Sequence, residues 1–361
     1  MRVGLDATPL LSARTGVGQY VGHLVDALAA APGGPDLTLT AFTLRGARAL
    51  TAPPGHRVVQ RAVPARVLQA LWARTVVPSV ELLVGRCDVF HATNFVLPPT
   101  RRAVGVVTVH DLAFIRHPDT VSAATLRYRT LVPRSVARAA VVLCPAEATA
   151  ADVAAEYGLP PERVLATPLG VSDEWRSAQP LGADARAALG IPERYVLFVG
   201  TQEPRKRLPD LVAAHRLARG ADDAVPGLVL AGPAGWGAPV DAPDAIRTGY
   251  LDAPVLRSLV AGATCVAQPS TYEGFGLPAL EALASGAPVV ASDLPVHREI
   301  TGGQATLVPV GDVDALAAAL VAASRTGPDP EAAAHRRAWT GGFTWARCAE
   351  QTIAAYHRAL D

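Results

Sequence analysis

The sequence is poor in several residue types, and each scarcity excludes a class of protein. Four cysteines occur in 361 residues, far apart in the chain, at positions 87, 144, 265 and 348. Neither a Cys-x-x-Cys zinc or redox pair nor a disulfide scaffold fits that spacing. Lysine occurs once, as Lys206, and all other basic residues are arginine. We therefore expect a protein of a reducing compartment in which arginine is the default cation.

A surplus of positive charge and a long apolar run are missing as well. The 33 basic and 32 acidic residues give a formal net charge of +1, whereas proteins that bind nucleic acid through its phosphates carry a clear basic excess. No apolar run reaches the roughly 18 residues of a membrane-spanning helix, and the N-terminus meets Asp6 before a signal-peptide core could form. We expect a cytoplasmic protein without a nucleic-acid partner, whose membrane contact would be peripheral, at the inner face.

Short β-branched runs alternate with alanine-rich segments along the chain, which is typical of parallel sheets covered by crossover helices. The pattern predicts strands at 2–5, 37–44, 89–91, 104–110 and 141–144, and again at 195–199, 228–231, 264–268, 288–291 and 305–308. It predicts helices at 17–30, 67–77, 123–137, 146–157, 208–219, 254–261, 278–284, 313–325 and 345–360. The fold class is therefore α/β, and the length also fits one α/β barrel with insertions.

A lapse in hydrophobic periodicity between Gly170 and Tyr195 divides the chain, and the segment contains Ser172, Pro180, Gly182 and Pro192 with a short alanine-rich helix inside it. This break favours two doubly wound domains that face each other across a cleft. It argues against a single barrel. We place the domains at 1–172 and 190–343, with a linker at 173–189. We expect the last helix, within 344–361, to pack back on the first domain.

Three consecutive basic residues lie in the segment after the predicted strand at 195–199. Arg205, Lys206 and Arg207 precede a predicted helix, and the one lysine of the chain is among them. Arginine offers a bidentate clamp for phosphate, and lysine a compact point charge. The segment predicts a phosphate or diphosphate site on Arg205 and Lys206, and a solvated basic turn is the alternative.

The most specific segment lies between the predicted strand at 264–268 and the next helix. Gly274 and Gly276 leave the backbone accessible because they have no side chain. The helix that follows can present its first N–H groups to an anion. Glu281 lies about one turn inside that helix, where a carboxylate could accept two hydrogen bonds from a ribose diol. Glu273 lies at the mouth of the loop. The alternative makes Glu281 a helix-dipole acid and Glu273 a surface acid.

The first half of the chain contains weaker candidates for residues that contact a ligand. Gly16 and Gly18 stand at the start of a predicted helix, where glycines let N–H groups approach an anion. Their distance from the first strand argues against a dinucleotide fingerprint, and a plain helix start is the alternative. His110 ends a predicted strand and could hydrogen-bond a sugar hydroxyl, while a histidine satisfied within the structure is the equal alternative. Asp111 would cap the next turn, and His91 is a weaker case of the same kind.

The sequence predicts no metal site. Asp312-Val313-Asp314 has the form of an Asp-x-Asp pair, but it opens an alanine-rich helix after the last predicted strand, so we expect it to cap that helix. His110 and His117 lack the helical spacing of metal ligands. We therefore expect neither a metal nor an organic cofactor.

Together these segments resemble the retaining glycosyltransferases of family 4, the group 1 glycosyltransferases, and most of all their mannosyltransferase-like members. The resemblance covers nearly the whole chain, and its most specific part is the pair Glu273 and Glu281 with Glu-Gly-Phe-Gly-Leu-Pro at its start. The glycine loop, His110-Asp111 and the turn Glu203-Pro204-Arg205-Lys206 add to it. It implies the GT-B fold of two facing Rossmann-like domains and a retaining enzyme that transfers a mannose-like hexose from a nucleotide-diphosphate sugar.

The resemblance also implies where the donor binds. In that family the nucleotide-sugar lies in the second domain, so Glu281 would hold the ribose. The diphosphate and the sugar would lie against Arg205, Lys206, Gly274, Phe275, Gly276 and Leu277.

Two catalytic residues are implied, Glu273 and His110, which would contact the transferred sugar from opposite sides. Gly16 and Gly18 would shape the first domain's side of the donor site. The chain has Gln202 and Arg207 where the family commonly has leucine and asparagine, and these departures leave both phosphate cations intact.

Retention without an enzymic nucleophile implies a front-face route, in which the departing diphosphate helps to deprotonate the acceptor and cations stabilise the developing charge. The acceptor stays open among glycans, lipid-linked glycans and small molecules. Four arginines between 127 and 138 could form a basic membrane-facing surface or a solvated helix face. Two rival functions also stay open: a nucleotide-sugar epimerase, which would turn over donor without acceptor, and a non-catalytic nucleotide-sugar-binding protein.

Overall fold

The computed structural model describes residues 1–11, 16–43 and 50–361, which form two compact units. The first comprises Met1–Arg116, Ala123–Gly170 and Phe343–Asp361, and the second comprises His117–Ser122 and Val171–Gly342. Leu44, the last residue of a predicted strand, lies outside the described residues.

The first unit is built on a parallel sheet. Its strands are β1 (Arg2–Asp6), β2 (Asp36–Phe42), β3 (Arg57–Arg61), β4 (Val89–Ala92), β5 (Val104–Thr108), β6 (Val141–Cys144) and β7 (Val164–Ala166). They lie in the order β3-β2-β1-β4-β5-β6-β7. The edge strands β3 and β7 escape sequence prediction because β3 is half polar and exposed, and β7 has only three residues.

A second parallel sheet forms the centre of the second unit. Its strands are β8 (Tyr195–Val199), β9 (Gly227–Ala231), β10 (Ile246–Gly249), β11 (Cys265–Gln268), β12 (Val289–Ser292) and β13 (Thr306–Val308). They lie in the order β10-β9-β8-β11-β12-β13. Every residue of β8 is buried, as expected for an apolar strand covered on both faces.

The two sheets repeat one topology, in which the first strand of each unit lies between its second and its fourth. This is the strand order of doubly wound dinucleotide-binding folds. The order reverses between β1 and β4 and between β8 and β11, and ligands of such folds bind beyond the carboxyl ends of those strands. The predicted α/β class is confirmed, and a single barrel is excluded.

Helices connect the strands of both sheets. In chain order they are α1 (Gly16–Ala30), α2 (Ala65–Trp72), α3 (Val80–Val84), α4 (Ala113–Arg116), α5 (Ala123–Leu126), α6 (Tyr128–Arg138), α7 (Glu147–Tyr157), α8 (Asp173–Arg176), α9 (Ala183–Ala188), α10 (Leu208–Ala221), α11 (Ala253–Ala261), α12 (Leu277–Ala284), α13 (Pro295–Thr301), α14 (Val313–Arg325), α15 (Pro330–Thr340) and α16 (Trp345–Leu360). None of the helices in the described ranges combines the length and the apolar character that a bilayer crossing requires.

The last helix, α16, belongs to the first unit and packs against α1, β5 and β6. Trp345 at its start stacks on His23 of α1, with ring centroids 4.8 Å apart. Near its end, the Tyr356 hydroxyl lies 2.7 Å from Nδ1 of His91 on β4. The last 19 residues, Phe343–Asp361, therefore complete the core of the first unit, whose preceding segment ends at Gly170.

We predict that Tyr356→Phe lowers the free energy of unfolding by about 1–2 kcal/mol, because it leaves a buried imidazole nitrogen without its hydrogen-bond partner. Thermal unfolding followed by circular dichroism measures the effect. Tyr250→Phe is the matched control, since Tyr250 is 61% exposed. Equal melting temperatures for the two variants would contradict the prediction.

Candidate active site

Two loops meet at the carboxyl edge of the second sheet because they follow neighbouring strands. Pro204–Lys206 forms a 3-10 turn after β8, and Glu273 lies in the loop after β11. The Thr271 amide donates to the Arg205 carbonyl at 2.9 Å, and the Gln268 amide side chain donates to the Val199 carbonyl at 3.0 Å. The backbone thus fixes the two loops side by side.

Glu273 is the centre of a buried ion-pair network between these loops. Its Oε1 accepts hydrogen bonds from Lys206 Nζ and from Ser270 Oγ, both at 2.6 Å, and its Oε2 accepts one from an Arg205 guanidinium nitrogen at 2.9 Å. The other guanidinium nitrogen of Arg205 donates to Glu203 at 2.6 Å. The network holds two cations at fixed positions in a site where water is largely excluded.

The charge state of Glu273 follows from these partners. Burial alone raises the pKa of this carboxyl, but the positive charges of Lys206 and Arg205 outweigh burial and hold its pKa below the ordinary value. Glu273 is therefore a carboxylate at neutral pH. Ser270 is a partner that sequence reasoning missed; its position three residues before Glu273 in the same loop was the available signal.

Glu281 lies in the first two turns of α12 and has the opposite character. Its side chain is 7% exposed, and no hydrogen bond joins its carboxyl group to any described residue. Burial raises its pKa from 4.5 to about 8, against a small lowering by the charge of Arg257. A buried carboxyl group that lacks a protein partner is expected at a position where a ligand supplies one.

Gly276 sets the start of α12. Its φ is +92°, which favours glycine, and a Cβ there would lie 3.0 Å from both His297 and Ile300 side-chain atoms. Gly274 and Phe275 are buried in the loop before it, and Leu277 is the first residue of the helix. The first N–H groups of α12 therefore follow directly in sequence on the loop that contains Glu273.

His297 is a further residue of this region that sequence reasoning missed. It lies on α13, 1% exposed, and its Nδ1 donates to the Ser292 carbonyl at 2.7 Å. Burial lowers its pKa, so the ring is neutral and Nε2 carries a lone pair. Within the described part of the chain that nitrogen has no hydrogen-bond partner. Nothing in the local sequence around position 297 distinguishes it from a core histidine.

His110 belongs to the first unit, directly beyond β5. Its Nε2 donates to the Thr93 carbonyl at 2.8 Å, and its ring packs edge-on against Tyr20 and Phe95. Burial lowers its pKa. The ring is therefore neutral, and the Nε2–H tautomer leaves Nδ1 as an acceptor for a hydroxyl. Asp111 accepts the Ala113 amide at 3.0 Å and caps the next turn, as predicted.

His91, the weaker candidate, is a structural histidine. Its two nitrogens lie 2.7 Å from the Tyr356 hydroxyl and 2.8 Å from the Thr108 hydroxyl, and its side chain is fully buried. Burial lowers its pKa to about 3. Protein partners satisfy both ring nitrogens, so His91 is not available to a substrate.

The other predicted residues lie in a turn and at helix starts. Gly16 and Gly18 open α1 in the first unit, and Thr15, which precedes them, lies outside the described residues. Arg207 pairs with Asp210 at 2.5 Å and has a φ of +50°. Asp312 accepts the Ala315 amide at 2.8 Å, so the predicted helix cap is confirmed. Among residues 1–11, 16–43 and 50–361, no three His, Cys, Asp or Glu side chains are grouped to hold a metal ion.

Sequence comparison matches both units to known families. Residues 14–175 match the model of glycosyltransferase family 4, and residues 193–325 match that of glycosyl transferases group 1. The O-antigen chain mannosyltransferase B of Escherichia coli is 30% identical over 283 residues, which cover 74% of this chain and 74% of the relative. The chain therefore belongs to the family 4, or group 1, glycosyltransferases.

Other relatives align over a shorter part of the chain. A D-inositol 3-phosphate glycosyltransferase of Mycobacterium avium is 39% identical over 205 residues, but these span 49% of this chain and 45% of the relative. The MMP alpha-(1->4)-mannosyltransferase of Mycolicibacterium hassiacum is 32% identical over 61% of this chain and 54% of its own length.

Solved structures show the same fold. The sucrose-phosphate synthase of Thermosynechococcus elongatus superposes with a TM-score of 0.72 at 21% identity, covering 99% of this chain and 98% of that one. Anabaena HepE in complex with UDP and glucose gives a TM-score of 0.66 at 16% identity, with 98% of both chains covered. The two parallel-sheet units thus have the GT-B type of fold.

We predict that Glu281→Gln removes a pH-dependent loss of stability. The folded-state pKa of about 8 lies above the ordinary 4.5, so the stability that the protonated form contributes is complete below pH 4.5 and is lost as the pH rises through 8. The variant should match the wild type at pH 4 and melt several degrees higher at pH 9, since each pKa unit corresponds to about 1.4 kcal/mol.

Melting curves at both pH values measure this effect. Glu350→Gln is the control, because Glu350 is exposed on α16. A melting-temperature difference between wild type and Glu281→Gln that is the same at pH 4 and pH 9 would refute the burial of a protonated Glu281.

Proposed function

We propose that the chain is a retaining hexosyltransferase that moves a hexose, mannose first among the candidates, from a nucleoside-diphosphate sugar to a hydroxyl of a glycan, lipid-linked or small-molecule acceptor. The observation that supports this best is the site in the second unit, where Glu273 holds two cations. On the helix that follows the Glu273 loop, Glu281 is buried and its carboxyl group has no hydrogen-bond partner among the described residues. Relatives named as mannosyltransferases support the choice of sugar. The four cysteines are buried free thiols, which supports the cytoplasm as the location.

The nucleoside half of the donor would bind through Glu281. A carboxylate can accept one hydroxyl hydrogen bond on each oxygen, which fits the two neighbouring hydroxyls of a ribose. Donation from two hydroxyls stabilises the ionised form, so binding would offset the burial that raises the pKa of Glu281. The proposal thus gives a role to an acid that has no hydrogen-bond partner among the described residues.

The diphosphate would bind between the cation turn and the start of α12. Within the described residues Glu273 is the one hydrogen-bond partner of the Lys206 ammonium, so two of its three N–H groups remain for phosphate oxygens. Arg205 supplies a planar guanidinium beside it. The N-terminus of α12, with Gly276 at its cap, adds backbone N–H groups and the positive end of a helix dipole.

The reaction would proceed on one face of the sugar. The bond between the anomeric carbon and the diphosphate oxygen breaks, the acceptor oxygen bonds to that carbon, and the acceptor proton passes to the departing diphosphate. Arg205 and Lys206 stabilise the charge of the leaving group. Glu273 orients these cations and contacts the sugar, and His110 accepts a hydrogen bond from a sugar hydroxyl through Nδ1.

The experiment that tests this function measures binding and then turnover. Thermal shifts with UDP, GDP, ADP and TDP identify the base, because a ligand of the folded state raises its stability by mass action. Mass spectrometry with the matching nucleotide sugars then detects transfer, and nuclear magnetic resonance determines the product anomer. An inverted product would remove the retaining mechanism, and donor turnover to a second nucleotide sugar without acceptor would identify an epimerase.

We predict that Lys206→Ala weakens binding of the selected nucleoside diphosphate about tenfold or more, while binding of the parent nucleoside changes little, since one charge-assisted hydrogen bond contributes about 1.5–3 kcal/mol. Isothermal titration with both ligands gives the ratio. Arg219→Ala, which removes an exposed cation from α10 in the same unit, serves as the control. Equal losses for nucleoside and diphosphate would remove Lys206 from the phosphate site.

We also propose that transfer needs neither a metal nor an organic cofactor, because the two cations and the helix N-terminus supply the positive charge that a metal would provide. Activity should therefore survive a strong chelator at full rate. Product formation is compared with and without chelator, and again after addition of magnesium or manganese. A loss that only a divalent ion restores would overturn this part of the proposal.

A further inference from the structure

His297 is a buried titratable group that the proposed reaction does not use. Its side chain is 1% exposed, and the Ser292 carbonyl fixes its tautomer by accepting a hydrogen bond from Nδ1 at 2.7 Å. Nε2 therefore carries the lone pair, and among the described residues nothing donates a hydrogen bond to it. An unmade hydrogen bond in a protein core costs free energy, so this atom points to a ligand-bound state in which it gains a partner.

The imidazole of His297 lies beside the start of α12. A Cβ on Gly276 would be 3.2 Å from Nε2 and 3.0 Å from the neighbouring ring carbon, Cδ2. The carbonyl of Gly276 accepts the Ala279 and Leu280 amides at 3.0 and 3.2 Å and so opens the first turn of the helix. Nε2 thus lies next to the residue at which the proposed diphosphate site on the helix N-terminus begins.

Burial and charged side chains from three loops decide the protonation of this ring. Burial opposes the proton most strongly and lowers the pKa of the imidazole. Glu273, after β11, and Asp293, after β12, favour the protonated ring, whereas Lys206, after β8, opposes it. Asp293 is itself paired with Arg298 on α13. The adjacent helix α12 contributes one titratable group, Glu281, which is uncharged at neutral pH in the free protein.

A diphosphate at this site changes that balance. It brings negative charge to the start of α12, and it offsets the charge of Lys206, which the proposed function places on a phosphate oxygen. Both effects favour a protonated ring. A neutral Nε2 would instead present a lone pair near an anion, which is repulsive, whereas a protonated Nε2 is a hydrogen-bond donor.

We propose that His297 takes up a proton from solvent at Nε2 when the donor diphosphate binds, and so adds a third positive charge to the leaving-group site. The N–H bond forms on binding, and the proton returns to solvent when the diphosphate leaves. Together with Arg205 and Lys206, the imidazolium stabilises the negative charge that develops as the bond to the sugar breaks. This inference rests on the proposed function, because the diphosphate site is part of it.

Nuclear magnetic resonance of the histidine rings tests the proposal in the full chain at pH 7. The probe is whichever of UDP, GDP, ADP and TDP gives the largest thermal shift. Ring-nitrogen chemical shifts distinguish imidazole from imidazolium, and the signals of His297 are those absent from His297→Gln. We expect a neutral ring in the free protein and with the parent nucleoside, and an imidazolium with the diphosphate, because the phosphates bring the charge.

The affinity for the same diphosphate between pH 6 and pH 9 gives a second test. A complex that holds one more proton than the free protein weakens as the pH rises through the pKa of the bound ring. The ratio of wild-type affinity to that of His297→Gln should therefore be about tenfold or more higher at pH 6 than at pH 9, since one pKa unit corresponds to tenfold. The ratio cancels the protons that Glu281 and the diphosphate exchange, because both proteins share them.

His215 is the matched control, because it is a buried histidine of the same unit. Its side chain is 7% exposed, and its Nε2 lies 2.7 Å from the Pro226 carbonyl. His215→Gln should leave the diphosphate affinity and its pH dependence unchanged. Melting temperatures verify that each variant is folded, and His297→Asn provides the assignment and the affinity ratio if the glutamine variant does not fold.

Three outcomes would overturn the proposal. The first is a His297 ring that stays neutral in a complex that forms, and the second is an affinity ratio that is the same at pH 6 and pH 9. The third is an imidazolium signal that appears with the diphosphate and persists in His297→Gln, which would assign the proton to another ring such as His117, beside Arg205.

Failure of the donor site itself has a different signature. If none of the four nucleoside diphosphates shifts the melting curve, the diphosphate site of the proposed function falls, and this inference falls with it. If a diphosphate binds and the ring stays neutral, the proposed function stands and only the proton uptake at His297 is refuted.

Discussion

The candidate site depends on the buried network in which Glu273 holds Lys206 and Arg205. Two like charges in neighbouring positions repel each other, and burial makes each of them costly, so without the carboxylate the cation turn would move toward solvent. Removing one partner of such a network leaves a buried charge uncompensated, which costs about 3–5 kcal/mol. One side chain from the loop after β11 thus orders the loop after β8 before any ligand binds.

The lone lysine of the chain is explained by that geometry. Lys206 is buried against Glu273 at a distance of 2.6 Å, beside an arginine that already spans Glu273 and Glu203. A second guanidinium would bring five N–H donors to a position where Glu273 is the one acceptor among the described residues, whereas an ammonium brings three. The contacts within the network therefore favour lysine at position 206 as much as the proposed ligand does.

Sequence reasoning found the central strands, since buried runs such as Val141–Cys144 and Tyr195–Val199 leave a clear apolar signal. Short or half-exposed edge strands such as Arg57–Arg61 leave none. It named Arg205, Lys206 and Glu273, but their mutual contact joins residues 67 and 68 positions apart, which motif spacing does not encode. His110 and His91 each end a predicted strand, so sequence alone does not separate their roles. The hydrogen bond between His91 and Tyr356, near the end of the chain, identifies His91 as the structural histidine.

The first unit is interrupted between Gly170 and Phe343 by Val171–Gly342, which is all of the second unit except His117–Ser122. On the ribosome, β1 to β7 therefore emerge without the helix that covers β5 and β6. At translation rates of roughly 5–20 residues per second, the intervening segment delays α16 by on the order of ten seconds or more. Throughout that interval the part of the apolar core that α16 covers stays open in the nascent first unit, until the last helix is released.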